Sequence, residues 1–290
     1  MPIRPPHPPI ALVAALLGGL AALPTTAPGQ SPWTREAGHG FAQLSTYAVQ
    51  YDKLYTSGSG DFRTSREITD VTVEAYGEFG LTDDLTLIGR VPYKLLDAGD
   101  AVANPSLPST IRDASLTRFG NLAVALRQRW LDDDFTLSGQ LEVELPTGDF
   151  DQSSGLRTGY DAFTFAPLVS IGRGFGRAYA FGYGGFGFRT GDYSNTWRLG
   201  GEAGYRVLEP LLVAGFVDVV QSFEDGDVRL PTTNLETGLY VNDQEWVAFG
   251  VKGLLQLGEG IGLQATVQGA FDANNVPKAP LFGLGFTFEW

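Results

Sequence analysis

An all-β fold, a transmembrane antiparallel β-barrel of about 12 strands with short periplasmic turns and longer extracellular loops, is predicted by three observations. Apolar and polar residues alternate through many stretches of the chain. Beyond the first 29 residues no run of about 18 apolar residues could form a spanning helix. The connections between the alternating stretches are short and long by turns, as on the two rims of an outer-membrane barrel.

The alternation is clearest from Phe135 to Leu145, where Phe135, Leu137, Leu141, Val143 and Leu145 oppose Thr136, Ser138, Gln140, Glu142 and Glu144. It recurs in Leu85–Leu95, with Leu85, Leu87, Val91, Tyr93 and Leu95 on one face, and in the final stretch, with Phe282, Leu284, Phe286, Phe288 and Trp290. Strands are predicted near 39–54, 66–80, 84–97, 117–131, 134–146, 159–172, 177–189, 196–207, 211–223, 233–257, 260–273 and 280–290. Asp243-Gln244 could divide 233–257, but an even count is expected of a single-chain bacterial barrel, so that segment is read as one long strand. Between Tyr179, Phe181, Tyr183 and Phe186, Phe188 the aromatic phase flips across Gly184-Gly185, which predicts a β-bulge.

Short turns TDD, LDDD, GRGFG, LEP and GEG fall on one side, and loops such as 98–116, 147–158 and 223–232 on the other. Gly-Asp steps occur at Gly60-Asp61, Gly99-Asp100, Gly148-Asp149, Gly191-Asp192 and Gly226-Asp227, each after an outward-going strand. They mark where the chain leaves the membrane, and turn chemistry accounts for them. A ring of Asp61, Asp100, Asp149, Asp192 and Asp227 binding the cations that bridge lipopolysaccharide is the rival reading.

The first residues, MPIRPPHPPIALVAALLGGLAAL, read as a secretory signal, with Arg4 and His7 before an apolar run too short to span. Residues 1–29 are assigned to it and 30–290 to the barrel. The mature chain then has 19 Lys+Arg, Arg4 having left the total of 20, against 33 Asp+Glu, a formal charge of −14. Such a surface disfavours nucleic acid. With no Cys, the exported chain holds together without disulfides.

Charged residues sit on the polar faces: Glu74 and Glu78, then Arg90 and Lys94, Arg127 and Arg129, Glu142 and Glu144 on successive strands, and further on Arg198, Glu202, Arg206, Asp218 and Lys252. Facing lipid, an Arg or Lys would cost roughly 2–4 kcal/mol near the midplane, so these side chains are expected in the lumen. Trp246 shares the inward parity of Ala248 and Lys252, whereas Trp130, Trp197, Tyr205 and Trp290 suit an interfacial girdle. The charges either line a conducting pore or fill a narrow barrel with cross-wall ion pairs. Catalysis is disfavoured, since the mature chain keeps only His39 and no Cys, so neither a Ser-His nor a zinc site assembles. The run Asp132-Asp133-Asp134 lacks the spaced ligands of a calcium loop, and no cofactor or metal is predicted.

The stretches EAYGEFGLTDDLTLIGRVPY, RFGNLAVALRQRWLDDDFTLSGQLEVELPTGDF and ETGLYVNDQEWVAFGVKG resemble the transporter-like outer-membrane family named for the meta-pathway of phenol degradation. The resemblance implies a barrel that admits small, often hydrophobic or aromatic molecules, distantly related to the long-chain fatty-acid channels. About nine residues separate Gln30 from the first strand, too few for the N-terminal hatch of those channels. The terminal GFTFEW resembles the signal, ending in Trp290, that the outer-membrane assembly machinery reads. The expected partners are outer-membrane lipid and lipopolysaccharide, that machinery and a small-molecule solute. Passive uptake is the expected role; a non-conducting structural or adhesive barrel displaying loops 98–116 and 223–232 is the alternative.

Overall fold

Thirteen strand segments form one antiparallel sheet in the computed structural model, which describes residues 29–57, 60–108 and 111–290. Residues 1–28 of the assigned signal segment lie outside the described residues. The segments are β1 (Gly40–Tyr55), β2 (Asp61–Thr82), β3 (Leu85–Ala101), β4 (Ala114–Phe119), β5 (Ala123–Asp132), β6 (Thr136–Glu144), β7 (Thr164–Phe175), β8 (Ala178–Arg189), β9 (Thr196–Leu208), β10 (Leu211–Ser222), β11 (Glu245–Gly258), β12 (Ile261–Asn274) and β13 (Leu281–Glu289). Apart from β4, which pairs with β3 alone, each segment is hydrogen-bonded on both sides, and β13 returns to β1 to close the barrel.

β4 and β5 pair with different halves of β3, so they are two parts of one stave and the barrel has 12 staves. The interruption follows from Pro92 in β3, which has no N–H to offer; its carbonyl still accepts from the Gly120 N–H at 2.8 Å. The alternation of the sequence is the alternation of the wall. Phe282, Leu284, Phe286 and Phe288 are 46–62% exposed on the outside, while Gln43, Ser45, Glu74, Glu78, Thr86 and Gln140 are buried inside. So broad an apolar exterior suits lipid rather than water.

Two elements depart from the predicted strands. The segment before β11 is not strand: Thr232–Thr237 forms a helical turn, α1, entered at Pro231 with φ −59° and ended by Gly238 at φ 66°. Tyr240 and Asp243 also take positive φ, which turns residues 238–244 inward and buries Leu239 and Val241. The predicted bulge at Gly184-Gly185 is also absent, since β8 keeps one register against both β7 and β9. The aromatics change face there: Tyr183 is buried inside, whereas Phe186 and Phe188 are exposed outside. The irregularity lies opposite, where the β7–β8 ladder lapses at Ala166 and Pro167. The Pro167 carbonyl crowds the position a Cβ of Gly185 would take, so only glycine fits.

Loops close the extracellular end by folding inward. Leu96, Ala98, Ile111, Leu156, Leu239 and Leu281 join Tyr51, Leu54 and Ile68 in one buried apolar cluster. Tyr160, Ala162 and Tyr193 form a second, with Val228, Leu230 and Tyr240 packed on it.

Candidate functional site: a lumen in two chambers

At the periplasmic end the few residues before β1 lie inside the barrel. Arg127, fully buried, donates to the carbonyl of Trp33 at 2.9 Å, and Ser138 donates to the carbonyl of Pro32. Arg127 also pairs with Glu78 at 3.2 Å, and Arg35 reaches the other oxygen of Glu78 at 2.7 Å. A buried guanidinium is tolerated here because carboxylate, amide and carbonyl acceptors surround it. Trp33 stands edge-on to Tyr179 and Phe181, with centroids 5.8 and 5.7 Å apart. The segment is too short for a hatch domain, yet it narrows the lumen because β5 and β6 hold its backbone.

Above and beside it is a cavity of about 590 Å³. Tyr179 and Tyr183 lie across Gly204 and Gly200 of β9, where a Cβ would collide with the rings. Their hydroxyls donate to Glu202 and Asp218, each at 2.5 Å. Lys252 completes the Glu202 group at 2.6 Å. Asp218, 1% exposed, also accepts from the Trp246 indole at 2.8 Å and faces Arg198 at 3.6 Å. The level of Asp218 divides the lumen, and of the residues lining either cavity only Tyr47 reaches both.

The upper cavity measures about 220 Å³. Arg90 bridges Glu142 at 3.2 Å and Glu144 at 3.4 Å, and Asn121 holds Glu144 from the other side at 2.9 Å. Lys94 pairs with Asp70 at 2.7 Å beneath the Tyr240 ring. Its remaining walls include Tyr160, Arg189, Arg198 and Trp246.

Of the predicted lumen residues, Glu78, Arg127, Glu202, Arg206 and Lys252 contribute to the lower half, and Glu74, Arg90, Lys94, Glu142, Glu144, Arg198 and Trp246 to the upper, with Asp218 between. Arg206 lies at the mouth, donating to the Glu209 carbonyl of the β9–β10 turn. Arg129 differs: it is spent on the periplasmic rim, pairing with Asp84 and Asp132 at 2.7 and 2.8 Å, because two turns bring their acids to it. Partners also differ from the simplest cross-strand expectation, since Glu202 takes Lys252 rather than Arg198 or Arg206. The five Gly-Asp carboxylates all lie toward the extracellular rim, where Asp61 holds Lys278 at 2.5 Å and Asp149 holds Arg118 at 3.2 Å.

Sequence reasoning missed Trp33, Tyr160, Arg189 and Tyr240. The inward parity of Tyr179 and Tyr183 was visible in the sequence. Trp33 sits on a segment without period, Tyr160 and Arg189 at the ends of predicted strands, and Tyr240 within 233–257, whose alternation reads as strand where the structure has an inward turn.

A closed antiparallel barrel, greasy outside and charged within, defines an outer-membrane barrel protein. The chain belongs to the family described as "Putative MetA-pathway of phenol degradation", whose model matches residues 41–287. Among solved structures it is similar to the COG4313 outer membrane channel from Pseudomonas putida F1, with a TM-score of 0.71 and 14% identity over 92% of this chain and 100% of that one. It is also similar to the NanC porin, at TM-score 0.51 and 8% identity over 86% and 100% of the two chains. A third likeness is to the translocator domain of autotransporter NalP from Neisseria meningitidis, at 0.50 and 9% over 88% and 90%. At these identities the likeness is one of fold. No curated protein matches the sequence.

Proposed function

We propose that the protein is an outer-membrane channel for passive uptake of small, hydrophobic or aromatic molecules, in a closed conformation here. The observation that carries this is the pair of chambers stacked along one lumen, about 590 and 220 Å³, walled by aromatic rings as well as ion pairs. A barrel serving only as a scaffold has no need of such space. Aromatic walls favour flat solutes, and the fixed charges exclude long aliphatic ones by leaving no apolar track. The family name and the channel and porin neighbours are consistent with this role.

A second reading has its own support: inward-folded loops and a lodged N-terminal segment leave little free bore, as in a barrel that serves to present its extracellular surface. Single-channel recording in planar bilayers separates the two. Salt-dependent conductance steps are expected of the channel; a silent bilayer at every voltage, with protein proven to be inserted, rules it out. The expected partners follow the same reading: lipid and lipopolysaccharide around the wall, and the assembly machinery at the Trp290 end.

A further inference from the structure

Three successive inward positions of β8 are aromatic, Tyr179, Phe181 and Tyr183, and their rings follow one another along the lower chamber at centroid spacings of 6.4 Å. Tyr179 and Phe181 are nearly parallel, 9° apart, and Tyr183 is tilted from Phe181 by 35°. Each tyrosine is fixed twice, by the glycine its ring lies across and by the acid its hydroxyl donates to, Glu202 for Tyr179 and Asp218 for Tyr183. Those acids are also paired, Glu202 with Lys252 and Asp218 with Arg198. What the track still offers a solute is therefore ring surface, held in place in advance.

Two of the three rungs already have an occupant. Trp33 meets Tyr179 and Phe181 at 85° and 88°, the edge-to-face arrangement that aromatic pairs favour. Its backbone is held differently, since Arg127 and Ser138 bond the carbonyls of Trp33 and Pro32, which any residue would present. The indole makes the contacts that depend on ring chemistry, and so reports what the track accepts.

We propose that the track of Tyr179, Phe181 and Tyr183 is a binding site for a planar, uncharged aromatic molecule of about the size of indole, and that Trp33 holds the site in the closed state as an internal competitor. The inference rests on the channel reading, and names a solute class for the lower chamber together with the contact that regulates it.

Occupancy is exclusive because the rungs are shared. β8 runs outward from Ala178 to Arg189, so a ring descending from the upper chamber meets Tyr183, at the level of Asp218, before it reaches Phe181 and Tyr179. Trp33 stands against those last two. Space is not the obstacle, since about 590 Å³ lies within the roughly 300–1,000 Å³ of small-molecule sites. A ring tethered by a short segment competes at an effective concentration on the order of millimolar, and removing it unmasks the site. A charged solute gains no free partner beside the track, where Glu202 and Asp218 are both engaged, and its desolvation would go uncompensated.

The test is calorimetric binding of indole to the purified barrel in detergent micelles, with cyclohexanol as the non-planar control. Saturable indole binding is expected in wild type and about tenfold tighter binding, or more, in Trp33→Ala, with cyclohexanol weaker than indole by about tenfold in both. Adding Phe181→Leu to Trp33→Ala removes a rung and is expected to cancel the gain. Trp33→Phe, which keeps a smaller ring, is expected to fall between wild type and alanine and serves if the double variant does not fold. A vacated hole alone would also take up indole, so wild type must show displacement. The chain has five Trp, and after labelling with 5-fluorotryptophan the resonance missing from Trp33→Phe identifies Trp33. Saturation with indole is expected to make that resonance sensitive to exchange of water for heavy water, as in a solvent-exposed ring. Equal indole affinity in wild type and Trp33→Ala, equal affinity for cyclohexanol, indole bound with the Trp33 resonance unmoved, or no saturable binding each overturn the proposal. Conductance of the same preparation keeps the outcomes separate: a conducting barrel that ignores indole defeats the track and leaves the channel standing, whereas a silent one that exchanges Trp33 for indole does the reverse.

Discussion

Single side chains decide where this barrel can move and where it cannot. Gly185 is fixed by the Pro167 carbonyl, so Gly185→Ala drives a methyl into backbone that a ladder lapse has already displaced. A loss of about 1–3 kcal/mol is expected in denaturant unfolding of the micelle-embedded protein, against almost none for Gly89→Ala, where a Cβ meets open space. Asp151 controls an extracellular loop. Burial alone raises its pKa, but hydrogen bonds from the Ser153 N–H and hydroxyl and the Ser154 hydroxyl, each 2.9 Å, outweigh that and hold the carboxyl below its ordinary value. A depressed folded pKa means stability present above the unfolded value of about 3.9 and lost as the pH falls through the folded one. Asp151→Asn is therefore expected to lower the melting temperature near pH 7, with the gap to wild type narrowing as the pH falls below about 3.9 in parallel thermal scans.

At the scale of elements, the N-terminal segment and the inward loops are the two closures of one tube. The N-terminal closure depends on a few anchors: the Arg127 and Ser138 contacts to backbone, Arg35 on Glu78, and Trp33 between Tyr179 and Phe181. Trp33→Ala removes the part that fills space while leaving the anchors. The expected result is a severalfold higher single-channel conductance with an unchanged barrel, checked by bilayer recording and circular dichroism; an unaltered current would place the limiting constriction at the extracellular plug. The plug is held differently, by apolar burial of Leu156, Leu239 and Leu281 around Tyr51 and Ile68. It accordingly responds to core truncations rather than to salt.

The whole molecule is governed by which face a residue takes. Val217 is 46% exposed on the lipid side of β10, and its neighbour Asp218 is buried inside. Val217→Lys is expected to cost about 2–4 kcal/mol in folding into bilayers, measured by equilibrium unfolding from lipid vesicles, because the charge meets hydrocarbon near the midplane. The chain places Lys252 on the opposite face, beside Glu202, where a charge is paired at 2.6 Å. The same rule explains how an acidic chain with no disulfide stays folded: every strand segment but the short β4 has two hydrogen-bonded neighbours, and each face meets the solvent it suits.

The amino-acid sequence by itself determined the class of fold, the stave count, the direction of the barrel and the inward face of nearly every charged strand residue. A period of two is a local property, and lipid enforces it on every stave. It left undecided the pairing of those charges, since partners two staves apart, such as Arg90 with Glu142 and Arg127 with Glu78, depend on barrel curvature. It also left undecided residues 30–39 and 223–232, and it misread 233–244 as strand, because the conformation of these segments follows from what the closed wall offers inside. Trp33, Tyr160 and Tyr240 became wall residues of the chambers only because closure gave them an interior to enter. The barrel is written in alternation, whereas its two chambers exist only once the tube is closed and its ends have folded in.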